Sequence, residues 1–281
     1  MCMVHEVTGA GALFDLSTGR RISLPPHCER YFSSCGSIIG NGDMVCSYAA
    51  MGVDPVSGRY KVFKSTLYYD SKLFSNRQWV FTLGVDKSWR EIRPLFTGYT
   101  YAAVHIRGII YFIPQISDQS PYIVAMDVAR ERVLRVIPFP PCYQSCRPQR
   151  NYGWVSWIKL NGRLAFIIMF IPRQEGWPSS ECKIEIWTFE VEWEKQTVLV
   201  PLEESEAFDQ AISIGFASNS MGEIVFLLFL CERMSPLILV YSFRRDVWRR
   251  VEIAGVSKYP KTGRVVTAVH IDDEIAASFL E

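Results

Sequence analysis

The chain has little of what most function classes require. Its 281 residues include only four histidines (His5, His27, His105 and His270), each isolated from the others in sequence. Eight cysteines show no paired spacing, and the nearest two, Cys142 and Cys146, have no histidine close by to complete a zinc site. A metal or other cofactor is therefore not expected. An excess of one charge is also lacking, with 30 Lys+Arg against 29 Asp+Glu. Without a basic excess, neither nucleic acid nor an anionic membrane is an expected partner.

Long apolar runs are missing too. The longest, 164–171 and 224–231, are far below the roughly 20 residues that span a bilayer. Met1-Cys2-Met3-Val4-His5-Glu6 has neither the basic nor the apolar region of a secretory signal, and no Asn-x-Ser/Thr acceptor occurs. These absences suggest a reducing compartment, cytosol or nucleus, in which cysteines pack as small hydrophobes. Helical periodicity is scarce, and only the acidic stretch 203–211 reads as a short helix.

What is present is β. Hydrophobic residues make up 49% and aromatics 14%, which excludes a disordered polar chain and supplies a core without staples. Short runs of Val, Ile, Phe, Tyr and Trp alternate with Gly, Pro, Asp and Ser turns. Two half-units recur. One is a glycine turn leading into an apolar strand, as at 105–112, 159–166 and 221–226. The other is a strand, a charged turn and a returning strand, as at 81–92, 123–137, 184–200 and 237–253. The charged turns at Asp127, Glu192 and Asp246 recur at intervals near the blade length of kelch-type propellers, about 50 residues.

Each full unit is a small antiparallel sheet with two apolar faces and cannot bury both alone. Stacking the units radially solves that and leaves few exposed edges. The expected fold is all-β: one irregular, kelch-like β-propeller over residues 1–281, with the number of blades left open. Trp89 and Trp248, on returning strands, are expected to pack between blades.

Several segments carry a family likeness. Asp15-Leu16-Ser17-Thr18-Gly19, followed by Leu24-Pro25, resembles the NPSTG…LP turn of plant F-box-associated domains. The stretch 52–62 resembles their GYDPxSGxYKV element, with Val53 in place of the usual aromatic. Val80 to Gly84, Trp89 to Ile92, Ile184 to Trp187 and Arg249 to Ile253 follow in the family's order, so the likeness covers essentially the whole chain. Pro55 presets a turn and Gly58 admits positive φ, so 54–58 is expected to reverse the chain before Tyr60. These are scaffold signatures, and fold alone does not name a partner.

The resemblance implies a non-enzymatic module that recognises a protein target for a cullin–RING (SCF) ubiquitin ligase. In that family an F-box precedes the domain and docks the Skp adaptor. No F-box pattern occurs before Asp15, and 200–204 matches one only superficially. Two expectations follow: a monomer that binds a protein target without docking Skp by itself, or a complete receptor whose F-box is missing from this gene model. The first blade is expected to be truncated and weakest, with 265–271 closing onto it.

Catalytic templates fit poorly. Ala211-Ile212-Ser213-Ile214-Gly215 imitates a nucleophile elbow without the strand–turn–helix context, leaving a propeller hydrolase as a remote alternative. Gly9-Ala10-Gly11 and Gly40-Asn41-Gly42 lack the third glycine of a dinucleotide fingerprint. Glu203, Glu204 and Glu206, and Asp272, Asp273 and Glu274, read as solvated acidic surface. Arg244, Arg245, Arg249 and Arg250 read as a charged hairpin exposed to water.

Two long connections stand out. Residues 140–152 interrupt two repeat halves and mix Tyr, Arg and Pro, and 173–180 carries Trp177. Tyr, Trp and Arg anchor interfaces, and loops on a rigid scaffold often carry recognition. The candidate partner-binding residues are Tyr143, Arg147, Arg150, Tyr152 and Trp177.

Overall fold

A computed structural model describes residues 2–4, 11–14, 21–25, 44–70, 73–115, 122–143, 154–170, 182–230 and 237–251. The chain divides into two compact units, Met1–Phe139 and Pro140–Glu281.

The first unit holds a three-stranded sheet of β1 (Cys2–Val4), β2 (Gly11–Phe14) and β3 (Arg21–Ser23). Two four-stranded sheets follow. One contains β4 (Met44–Val53), β5 (Tyr60–Asp70), β6 (Leu73–Thr82) and β7 (Arg90–Ile92). The other contains β8 (Tyr99–Ile106), β9 (Ile109–Gln115), β10 (Tyr122–Asp127) and β11 (Arg132–Pro138). Each four-stranded sheet is an antiparallel meander in which sequence neighbours pair.

The second unit repeats the plan. A 3₁₀ turn (Pro141–Tyr143) precedes β12 (Trp154–Leu160), β13 (Arg163–Phe170), β14 (Lys183–Phe189) and β15 (Trp193–Leu199). Helix α1 (Leu202–Asp209) then leads into β16 (Ala211–Ser218), β17 (Ile224–Leu230), β18 (Leu237–Ser242) and β19 (Val247–Val251). The half-units read from sequence are the hairpins of these four meanders.

Turn chemistry fixes the registers. Arg107-Gly108 and Asn161-Gly162 are two-residue loops with both φ values positive, 49° and 78°, then 51° and 74°. Such turns match the right-handed twist of the strands they join. At 54–58 the Asp54 N–H donates to Arg59 O and the Gly58 N–H to Asp54 O, closing the expected reversal.

The first strands of successive four-stranded sheets lie side by side, β4 with β8 and β12 with β16. The apolar faces meet there. In the first unit Phe63, Val80, Ile110, Phe112, Val124 and Met126 form one core. In the second, Ile167, Ile186, Phe208, Phe226 and Leu239 belong to another. The sheets bury on each other what none could bury alone.

Long-range pairing revises several expectations. Arg249 Nη2 lies 2.7 Å from Glu223 Oε2, and Arg250 Nε donates to both oxygens of Glu204 at 3.1 Å. Those arginines are therefore committed within the unit, whereas Arg244 and Arg245 are exposed as expected. Glu204 is buried rather than solvated. The reason is its arginine partner, 46 residues away in sequence. Trp248 stacks on Phe226, packs on Tyr241 of its own sheet and on Phe208 of α1, and lies against the core cluster shared by the two sheets of its unit. Trp89 packs on Phe81 and donates its indole N–H to Pro25 O beyond β3, so it does link sheets. Residues 265–271 and 272–274 lie outside the described residues.

Candidate functional site

A meander has two unlike ends. In the sheet β12–β15, the turns β12–β13 and β14–β15 sit at one end, while segments 144–153 and 171–181 join the other. Register shows this directly, with Trp154 opposite Met169 and Phe170 opposite Lys183. Both long connections therefore leave the same end of one sheet, a placement sequence alone did not give. The candidates Arg147, Arg150, Tyr152 and Trp177 lie within them and outside the described residues.

Tyr143 is described and half-buried. Its ring sits 5.6 Å from Phe166 and 6.5 Å from Trp157, centroid to centroid. Trp157 in turn packs on Phe166 at 4.5 Å and on Trp193 at 6.1 Å. Aromatic stacking of this kind fixes where the connection departs. Tyr143 is thus seated in an aromatic row on one face of the sheet.

The row continues across the strands, because Phe166 faces Trp187 and Trp187 faces Lys195. The Lys195 ammonium lies 5.5 Å from the Trp187 ring and 2.7 Å from Glu185 Oε1. Lys183 lies 3.4 Å from the same carboxylate oxygen and 4.8 Å from the Phe170 ring. Cations held over aromatic faces are attracted by the ring quadrupole. This face carries large aromatic rings across the middle of the sheet, with Phe170 and the Lys183–Glu185 pair nearer the end where the long connections attach.

The opposite ends of the sheets are tied down. Asp54 accepts from the Ser57 hydroxyl at 2.8 Å and the Val56 N–H at 2.9 Å. These bonds, the Ser57 hydroxyl foremost, hold its carboxyl below the usual range. Lys61 donates to Ala129 O and to Glu131, and Arg90 grips the same carboxylate through both oxygens. His105 Nε2 accepts the N–H groups of Val53 and Gly108 at 3.3 and 3.2 Å, joining β4 to the β8–β9 turn. In the second unit the Ser218 hydroxyl donates to Lys159 O, joining β16 to β12. Sequence reading passed over His105, Glu131 and Glu223, whose partners lie far along the chain.

The nucleophile-elbow template does not fit the geometry at Ser213. Ser213 lies inside strand β16 beside a bulge, with α1 before it rather than after it. Burial, reinforced by the charge of Asp209, pushes the Cys182 thiol up to about 12, so it is not a thiolate nucleophile at neutral pH. Among the described residues no group of three or more His, Cys, Asp or Glu could hold a metal ion. No helix there is long and apolar enough to cross a membrane.

Comparison of the sequence with known families and proteins points to one family. The model of the F-box associated beta propeller domain matches residues 17–273. F-box protein At2g40925 of Arabidopsis thaliana is 24% identical over 238 residues, covering 77% of this chain and 55% of that protein. F-box protein At2g21930 of the same organism is 24% identical over 229 residues, covering 75% of this chain and 52% of that protein. The chain spans about half the length of the curated relatives it matches. Among solved structures, the β-propeller domain of the trilobed protease from Pyrococcus furiosus aligns at a TM-score of 0.41 and 11% identity, over 86% of this chain and 74% of that one. With a match that runs from before β3 to beyond β19, the chain belongs to the F-box associated beta propeller domain family.

Proposed function

We propose that this chain is a non-enzymatic target-recognition domain for an SCF ubiquitin ligase. The observation that carries this reading is the contrast between sheet ends. Turn ends are fixed by hydrogen bonds and ion pairs, while both long connections leave the other end of β12–β15 and the first departs from Tyr143, which is seated on an aromatic row. Recognition on loops set into a rigid scaffold is the usual economy of such folds. Arg147, Arg150, Tyr152 and Trp177 are assigned to the target contact, and Tyr143 to seating the first connection. The working state is a monomer in cytosol or nucleus, binding a protein and neither nucleic acid nor membrane.

The domain itself does not dock the Skp adaptor in this reading, since that task falls to an F-box. A second reading is favoured by the relatives' length: a complete receptor would carry an F-box in a segment beyond this sequence. Co-elution with a Skp adaptor tests the division of labour, comparing the 281-residue chain with a version extended upstream by an F-box. The extended protein alone should co-elute. Co-elution of the shorter chain would overturn the assignment of docking to the F-box.

A further inference from the structure

Helix α1 is the one α-helix among the described residues, and its two faces differ sharply. The inner face is fixed. Phe208 is fully buried against Phe226 and Trp248, and Arg250 pins Glu204 and the Glu203 carbonyl. The outer face carries Leu202, Glu203, Glu206 and Gln210, all exposed.

Apolar residues bound that stretch of sequence. Leu202, at the start of the helix, is 90% exposed, and Ile212, just past its end, is 60% exposed. Ile212 is exposed for a structural reason. It is the extra residue of a β-bulge, since Ala211 faces Leu230 and Ser213 faces Phe229, leaving Ile212 without a partner. Bulges at a sheet rim re-aim a side chain. Neither aliphatic group is needed for the core, and the two carboxylates lie between them in sequence.

We propose that the outer face of α1, from Leu202 to Ile212, is a docking ledge for an extended peptide segment of a protein partner. The segment carries a Lys or Arg between two apolar side chains. Charge complementarity selects the cation, because Glu203 and Glu206 are exposed on this outward face, Asp209 is partly exposed beside them, and the one nearby cation, Arg250, is already held by Glu204. Length selects the spacing. An eight-residue helix is about 12 Å long, which an extended peptide crosses in about four residues. The fixed inner face keeps the ledge in place, as a binding surface on a rigid element should be. The identity of the partner as a ligase target rests on the function proposed above; the ledge's chemistry does not.

The test uses the full chain and two fluorescein-labelled eight-residue peptides. Each has leucines four positions apart, with lysines between them in one and glutamates in the other. Fluorescence polarisation should show binding of the lysine peptide, weakening with added salt. Leu202→Asp with Ile212→Asp should weaken it by at least about tenfold, as loss of apolar anchors does. Glu203→Lys with Glu206→Lys should reverse the preference toward the glutamate peptide. Unchanged lysine-peptide binding in either double variant, or equal binding of both peptides to the natural chain, would overturn the ledge. Cross-linking in plant extract separates this from the broader reading. An identical set of captured proteins with natural and charge-reversed chains would overturn the ledge and leave target recognition standing. Charge-reversible peptide binding by a chain that captures no plant protein would support the ledge and count against target recognition.

Discussion

The ring of Pro55 occupies the space that a side chain on Gly108 would need: a β-carbon added there would stand 2.8 Å from both Cδ and Cγ of Pro55. Gly108 also holds φ at +78°, in the left-handed region. Two sheets therefore meet turn to turn at a glycine. Gly108→Ala should destabilise the protein by about 2–4 kcal/mol, combining backbone strain with overpacking. Gly84→Ala is the control, because φ is +72° there but no atom lies within 4 Å. It should cost only about 1–2 kcal/mol. Equal losses in urea unfolding would show that the Pro55 contact has no energetic weight.

His105 should matter through its acceptor nitrogen. His105→Phe keeps a ring but leaves the Val53 and Gly108 N–H groups without that partner. Leaving part-buried donors unsatisfied costs about 1–3 kcal/mol. Chemical denaturation should show a lower midpoint with an unchanged slope. A variant as stable as the natural protein would remove the imidazole from the account.

Glu223 sets a pH dependence. Burial works to raise its pKa, but hydrogen bonds from Asn219 and Arg249 and the Arg249 charge outweigh it and hold the carboxyl below the usual carboxylate range. A folded-state pKa below the unfolded one gives stability that is present above the unfolded value, near 4.3, and lost as pH falls through the folded value. Glu223→Gln should therefore cost about 1.5–3 kcal/mol at pH 7, the worth of hydrogen bonds to a charged group. The gap should close as pH falls below about 4. A gap that is the same at pH 7 and pH 3 would contradict the assigned pairing with Arg249.

The three-stranded sheet should exchange its amides first. Strands β1 to β3 hold three or four residues each, against seven to eleven for the three long strands beside β7 or β11 except β10, which has six. Short strands offer few cooperative bonds, so local opening is easy. Hydrogen exchange should find the Leu13–Ile22 pair, opposite one another in register, less protected than Val124 opposite Phe112. Equal protection would remove the idea of a weak first blade.

Local features were legible in the sequence and distant ones were not. The 54–58 reversal, the Arg107-Gly108 and Asn161-Gly162 turns, and the short acidic helix all follow from neighbours in the chain. The helix begins at Leu202 and stops at Asp209, two residues short of the expected Ala211, because the chain there enters strand β16. The pairing of Arg249 and Arg250 was not legible because nothing near them reveals Glu223 or Glu204, 26 and 46 residues earlier. The same holds for Lys61 and Glu131, 70 residues apart. At the candidate site, residue types marked the two long connections, but only strand register put both at one end of a sheet.

The most direct test compares two sets of substitutions by affinity capture of plant proteins. One set replaces Arg147, Arg150, Tyr152 and Trp177 by alanine in the long connections. The other replaces Val56, Lys87 and Arg244, exposed at turn ends, by serine or alanine. Circular dichroism confirms first that both sets are folded. The account predicts that the loop set loses the captured proteins and the turn set keeps them. Loss with the turn set and retention with the loop set would contradict it.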